Sequence, residues 1–437
     1  MDESDHCMWY GISCGDEGFV TSIDLSHNNL VGPFPVYTHR VHPLHGFPIL
    51  DNFWMLSKHG LANLYSLKTL DLANNKLTGT IEYGPLYNLN ALTHFDVSGN
   101  QLSGEVEALV SPSLTFADFS KNSFTSMRRF QKYKVSPLQT LRYCDLSNNA
   151  IQEDASDLLE NIPPNIEQFI ASNNRIYGLL PASLNNLQKL RQFSMASNAL
   201  SGELPRFAES FVTLQELDMS NQVQTNGFNG TIPEDVWRSL SLKKLNLAGN
   251  RLTGTIPPLV GNLAVLEVFD LSNNLFGSSI PAELGMLEGS LKRLGLSNNM
   301  FTGTIPSQIG LLQGASVFLK DNHFYNSSTT APLSLCLERE VEEFDLENDI
   351  ILCPPERNAL SDFYDSAKGA EWTDGSLWRD EYESYCEWKG VISCDDNGHV
   401  IELNLSNNGL SGRLNESIGN LTYIEVLDLS DNDIKVM

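Results

Sequence analysis

The sequence predicts an α/β solenoid: a right-handed superhelix with a parallel β-sheet on its concave face and irregular or 3-10 turns on its convex side. Two observations predict it. The first is a phrase of leucine, any residue, leucine, two residues, asparagine, any residue, leucine, recurring about every 24 residues between Thr21 and Met437. A fixed period of that size marks a stack of repeats. The second is the asparagine itself, which fills fourteen of fifteen slots and so answers a demand that every repeat shares.

The slots are Asn28, Asn75, Asn100, Asn122, Asn149, Asn174, Asn198, Asn226, Asn250, Asn274, Asn299, Asn322 and Asp349, followed after a gap by Asn408 and Asn432. Each repeat must turn sharply after a short strand, which leaves backbone groups unpaired. A stacked, buried Asn side chain bonds those groups in neighbouring turns. The flanking leucines, as in Leu70-Asp-Leu72-Ala-Asn-Asn75-Lys-Leu77, point inward and share one core. Parallel strands about 4.8 Å apart make thirteen repeats an arc on the order of 60 Å. Long continuous surfaces of this kind suit binding.

Formal charge is −26, from 54 acidic against 28 basic residues, which argues against nucleic acid and anionic membranes and favours partners with basic patches. No apolar run reaches the roughly 18 to 20 residues of a membrane helix, and the polar start Met-Asp-Glu-Ser-Asp-His is not a signal peptide. Among seven cysteines, Cys7 and Cys14 flank one aromatic segment and Cys386 and Cys394 flank a near copy. Cys336 and Cys353 bracket the last repeat before a break, and Cys144 sits alone in a core slot. Three local pairs and one buried thiol imply an oxidising compartment; no Cys-x-x-Cys suggests zinc.

Seven repeats continue into a Gly-x-(Ile/Leu/Phe)-Pro tail or a close variant, as in Leu252-Thr-Gly254-Thr-Ile256-Pro257. With this tail the sequence resembles the plant-type, extracellular leucine-rich-repeat (LRR) receptor-like family, over nearly its whole length. The resemblance implies that each Trp-bearing cysteine segment is an amino-terminal cap, covering the apolar end of a stack. It divides the chain into a partial cap at 1–20, a first array of about 13 repeats at 21–353, a second cap at 354–400 and the start of a second array at 401–437. The second cap carries the family's Ala-Leu helix at Ala359-Leu360; the first begins too late to hold it, so the chain is expected to be cut at both ends. Family caps often have a further cysteine pair, but Tyr385 stands where its second partner would be. That departure favours pairing Cys336 with Cys353. Two arrays thus follow, interrupted by an insertion near 36–59 and by four added residues at about Gln222 to Thr225 in the eighth repeat.

Candidate chemistry is sparse. Gly11-Ile-Ser13-Cys14-Gly15 matches a nucleophile elbow, but Cys14 belongs to the paired segment and Gly390-Val-Ile-Ser393-Cys394 parallels it. His39, His42 and His45 in the insertion stand at three-residue spacing, but Pro43 and Pro48 prevent a regular helix there and no carboxylate lies between the histidines. No catalytic residue, cofactor or metal is expected.

Binding residues are a better prospect. The slot between paired strand leucines is acidic in nine repeats, Asp24, Asp71, Asp96, Asp118, Asp145, Asp218, Asp270, Asp345 and Asp428. These suit either a basic ligand or a local backbone cap. Two residues before the first strand leucine runs Arg142, Glu167, Arg191, Gln215, Lys243, Glu267, Lys292, nearly alternating in sign. Either a charge ladder steadying the sheet or a recognition strip follows, the strip taking in Tyr143, Gln168, Gln192, Glu216, Lys244 and Arg293. Glycosylation sequons stand at Asn229, Asn326, Asn404, Asn415 and Asn420. The resemblance implies a secreted or cell-surface receptor-like ectodomain that binds a protein, peptide or glycan in signalling or defence, with a possible co-receptor. The alternatives are a secreted inhibitor of wall-degrading enzymes, an ectodomain fragment of a receptor kinase, and an adhesive or ice-interacting protein using columns such as Asn74, Asn148 and Asn173.

Overall fold

A computed structural model describes residues 6–34, 61, 64–81, 89–106, 111–127, 140–160, 162–206, 213–222, 227–312, 315–324, 344–345, 355–376, 378, 385–394, 400–421 and 423–435. The chain forms two compact units, Met1–Leu252 and Thr253–Met437.

In the first unit one sheet runs, in order, through Ile12–Cys14, Val20–Asp24, Thr69–Asp71, His94–Asp96, Phe116–Asp118, Tyr143–Asp145, Gln168–Ile170, Gln192–Ser194, Glu216–Asp218 and Lys244–Asn246. The first pair is antiparallel and the rest pair in parallel. Most of these strands are three residues long, so the middle side chain alone points inward. Leu70, Phe95, Ala117, Cys144, Phe169, Phe193, Leu217 and Leu245 are all buried there, while the residues on either side form an open face. Behind the strands the chain turns through short parallel segments such as Gln101–Val106 and Ser123–Met127, and through the 3-10 turns Ala182–Asn186 and Glu234–Arg238. The fold is an LRR-type solenoid.

The asparagine column does what the turns require. Asn198, wholly buried, accepts from the Ile176 N–H at 3.0 Å and donates to the carbonyls of Ala171 and Met195 at 3.0 Å and of Ala196 at 3.2 Å. One side chain thus ties its own turn to the preceding repeat. Asn75, Asn100, Asn122, Asn149, Asn174 and Asn250 repeat the pattern.

One slot is corrected. Gln222, not Asn226, occupies the eighth position: its Oε1 accepts from Leu200 N–H, and its Nε2 donates to the carbonyls of Met195, Met219 and Ser220. A carboxamide one methylene longer still reaches, so the added residues fall after the slot, between Gln222 and Gly227; Asn226 lies outside the described residues. The residue before each slot is left-handed, with φ of 54° at Asn74, 56° at Asn148, 57° at Asn173 and 57° at Asn221. Asn and Gly tolerate that conformation, which accounts for the Asn-Asn doublets.

In the second unit, Val268–Asp270, Arg293–Gly295, Ser316–Phe318 and Phe344–Asp345 pair in parallel in the same register. Asn274, Asn299 and Asn322 bond turn carbonyls as in the first unit. Farther on, the helix Pro355–Ser366 and the antiparallel pair Val391–Cys394 and Val400–Asn404 enclose Phe363, Trp372, Trp378, Tyr385 and Trp388. The buried indoles are satisfied at Trp372, which donates to the Ala367 carbonyl, and at Trp378, which donates to the Lys389 carbonyl. Asn408 donates to the Asp374 carbonyl and accepts from the Asp374 N–H, so this aromatic segment supplies what a preceding repeat would. The residues 36–59, the histidines within them, Cys336, Cys353, Asn326 and Asp349 lie outside the described residues.

Candidate ligand-binding face

The open face of the first unit's sheet is built from columns, because registered parallel strands set equivalent side chains side by side. The aspartate column comes first. Asp24, Asp71, Asp96, Asp118 and Asp145 are direct partners across five consecutive strands. In each, Oδ1 accepts the backbone N–H two residues on: Ser26, Ala73, Ser98, Ser120 and Ser147. One oxygen of each carboxylate is therefore a local cap, and the second is left to meet other partners.

What meets that second oxygen divides the face. Asp218 Oδ2 lies 2.8 Å from Lys244 Nζ. In the second unit, Asp270 Oδ2 lies 3.3 Å from Arg293 Nε, whose guanidinium carbon stands 4.3 Å from the Phe318 ring centroid. Asp71, Asp96, Asp118 and Asp145 have no Lys or Arg partner among the described residues; Asp145 has only the Tyr143 hydroxyl, at 3.4 Å. Burial raises the Asp118 carboxyl to about 6, helped by Asp145 and Asp96. Asp71 is raised for the same reasons, chiefly burial, then Asp96 and Asp24.

One residue before the strand centre, His94, Phe116 and Tyr143 form a stack. Ring centroids are 4.2 Å apart for His94 and Phe116 and 4.4 Å for Phe116 and Tyr143, with interplanar angles of 10° and 5°. All three rings are half-buried. Burial and the neighbouring Asp145 and Asp118 push the Tyr143 hydroxyl upward, so it stays protonated. Sequence reasoning named Tyr143 but missed His94 and Phe116; reading the same column back through the repeats centred on Phe95 and Ala117 finds both.

Gln168, Gln192, Glu216 and Lys244 continue this column, pairing in that order. In the adjacent column Arg142 Nη1 lies 3.2 Å from Glu167 and Arg191 Nε 3.8 Å from the same carboxylate. With both arginines more than half exposed, each pair contributes about 0.2–1 kcal/mol, screened by salt. In the second unit Lys292 meets Glu267 at 2.5 Å. Lys243 lies exposed beside Gln215. The thirteen residues of the expected strip thus all lie on open faces, Glu267, Lys292 and Arg293 in the second unit and the rest in the first.

Comparison with known proteins follows this geometry. Leucine rich repeat family models match residues 51–102, 241–263, 265–287, 290–312, 399–421 and 420–435. Receptor like protein 24 of Arabidopsis thaliana is 24% identical over 233 residues, 53% of this chain and 26% of that protein. The chain carries leucine-rich repeats and is similar to plant receptor-like proteins. Among solved structures, the LRR ectodomain of the Arabidopsis thaliana receptor kinase GASSHO1/SCHENGEN3, in complex with CASPARIAN STRIP INTEGRITY FACTOR 2, superposes with a TM-score of 0.58 at 23% identity, covering 94% of this chain and 44% of that one. The plant peptide hormone receptor RGFR1 in complex with RGF2 superposes with a TM-score of 0.54 at 21% identity, covering 98% and 72%. These likenesses show the fold. The chain spans about a quarter of the length of the curated relative.

The remaining candidates of this LRR protein fall into place around the face. Cys7 is bonded to Cys14 and Cys386 to Cys394. Although His6 lies beside the first pair, its sulfurs are taken by each other. The Gly11–Gly15 match forms an antiparallel strand rather than a strand-to-helix elbow, and a Cβ on Gly11 would strike the Asp24 carbonyl. No helix among the described residues is long and apolar enough to cross a membrane. Of the sequons, Asn229 and Asn420 are exposed. Asn404 is engaged as a cap, accepting from Ser406, and Asn415 is only partly exposed at the start of a 3-10 turn.

Proposed function

We propose that this chain is the recognition part of an extracellular or cell-surface receptor-like protein, binding a peptide or protein ligand on the open sheet face of its first unit. The observation that carries the reading is the contrast between the two sides of the sheet. Inward columns are uniformly apolar and repetitive, whereas the outward column changes chemistry strand by strand: Thr69, His94, Phe116, Tyr143, Gln168, Gln192, Glu216, Lys244. A surface kept only for stability has no need of such variety. The names of its relatives, receptor-like proteins and a peptide hormone receptor with its hormone, agree with it. No residue of the chain is assigned a catalytic role. The helix Pro355–Ser366 and its aromatic core we take as the cap of a second repeat array beginning near residue 401. Exposed Asn229 and Asn420 are the sequons we assign as glycosylated.

Panning the secreted chain against a linear phage-displayed peptide library tests this. Enriched peptides should lose binding to Q192A/E216A and keep it to L240S, altered on the opposite side. Enrichment indifferent to the open-face substitutions would sink the reading.

A further inference from the structure

Resting on that reading, we propose that the His94–Phe116–Tyr143 stack and the Asp96, Asp118 and Asp145 carboxylates bind an arginine side chain of an extended peptide ligand.

Like charges directly opposite on neighbouring strands are unfavourable, and Asp71, Asp96, Asp118 and Asp145 stand in that relation. Elsewhere this chain answers the same aspartate column with its own cations, Lys244 on Asp218 and Arg293 on Asp270. Here it places aromatic rings where those cations would stand. Each carboxylate has Oδ1 fixed by a backbone N–H, so Oδ2 is held in position as an acceptor. The three rings cover one another's faces, so the outer faces of His94 and Tyr143, at the two ends of the stack, are the flat π-surfaces left for a cation, with Asp145 beside Tyr143 and Asp71 and Asp96 beside His94.

Flat aromatic surface beside carboxylates is the environment a guanidinium prefers. Its planar face stacks on a ring and its edge donates to an oxygen, whereas an ammonium does only the second well. The chain shows the arrangement in miniature: Arg293 donates toward Asp270 while lying over Phe318. Desolvation raises Asp118, and an incoming cation relieves it, so the site gains from occupancy as well as from contact. A net charge of −26 draws basic ligands toward the face. The Asp71, His94 and Asp96 donor atoms all lie within 4.8 Å of one another. A divalent ion is therefore the competing occupant that the test must separate.

The test uses the whole chain and an enriched library, with substitutions that spare the fold. Asn at this column keeps the cap, as Asn246 does by accepting from Ala248 N–H. The variant D96N/D118N/D145N therefore removes charge without removing the turn, and E160Q/E203Q/E234Q removes equal charge away from the open face. Peptides enriched on the unaltered chain in EDTA should carry arginine. Their affinity should fall at least about tenfold with the aspartate variant and about fivefold with Y143A, and hold with the control. Replacing the peptide arginine by citrulline should reproduce the loss. Enriched peptides that lack arginine, or that bind D96N/D118N/D145N unchanged, would overturn this inference while leaving the binding reading intact. Binding that needs added calcium or zinc would overturn it in favour of a metal. The absence of any enriched peptide would overturn both.

Discussion

Replacing Asn198 by Ala gives the sharpest test of how this stack is held together. The side chain is buried and makes four hydrogen bonds, to Ile176 N–H and to the carbonyls of Ala171, Met195 and Ala196. Ala196 O also accepts from Asn173 N–H, so it keeps a partner. The Ala171 carbonyl keeps Asn174 Nδ2 and the Met195 carbonyl keeps Gln222 Nε2, so of these four groups Ile176 N–H is the one orphaned in the interior, where such a group costs about 1–3 kcal/mol. N198A should therefore lower stability by about 1–3 kcal/mol. The matched control is N173G, which removes an exposed inter-repeat bond to Asn148 yet keeps the left-handed backbone; it should cost under about 0.5 kcal/mol. Urea titration followed by circular dichroism reads both, and hydrogen exchange at Ile176 should rise selectively in N198A. A loss in N198A no larger than in N173G would refute the claim that the asparagine column carries the turns.

Three further outcomes follow from particular groups. Asp118 binds its proton more tightly folded, at about 6 against an ordinary 3.8, so the folded state holds more protons between those values. Its contribution to stability therefore falls as pH rises from about 4 to about 6. D118N should gain about 1–2 kcal/mol at pH 7, after discounting for solvent screening, and flatten the melting temperature across that window; a steeper profile in D118N would contradict the assignment. Cys144 is fully buried in a strand core, and burial pushes its thiol upward. Iodoacetamide labelling with peptide mass mapping should thus leave it unmodified until urea unfolds the first unit, and rapid native labelling would count against its placement. Gly295 stands where other repeats carry Asp, and a Cβ there would lie 2.5 Å from Asp270 Cγ and 2.8 Å from Ser272 Oγ. G295A should cost about 1–3 kcal/mol and disturb the Arg293–Asp270 pair, whereas an unchanged urea midpoint would show that the neighbours shift freely.

Much of the fold was legible because the repeat imposes the same physical demands many times over. The inward leucines and the ladder asparagines each recur at a fixed distance, so one correct register places dozens of side chains. Register alone misassigned Asn226, since it weighs residue identity and not reach: Gln222 spans the same gap with one more methylene. The doublets such as Asn148-Asn149 were visible but half explained, because a left-handed backbone is a property of φ that no periodicity displays.

The open face was less legible for a related reason. Its columns carry no repeating residue, so His94, Phe116 and Tyr143, separated by 22 and 27 positions, look unrelated until strand pairing brings their rings to 4.2 and 4.4 Å. The aspartate column was seen, but not that one oxygen of each caps a turn while the other stays outward. Nor did the spacing distinguish the carboxylates that Lys244 and Arg293 neutralise from those left beside the aromatic stack.

The central claim is that this stretch of the open face receives the ligand. Hydrogen–deuterium exchange of the whole chain, with and without a library-selected peptide, tests it most directly. Protection concentrated in His94–Asp96, Phe116–Asp118, Tyr143–Asp145 and Gln168–Ile170 is the predicted result. Protection confined to the 3-10 turns Ala182–Asn186 and Glu234–Arg238, with the strands unchanged, would contradict the account.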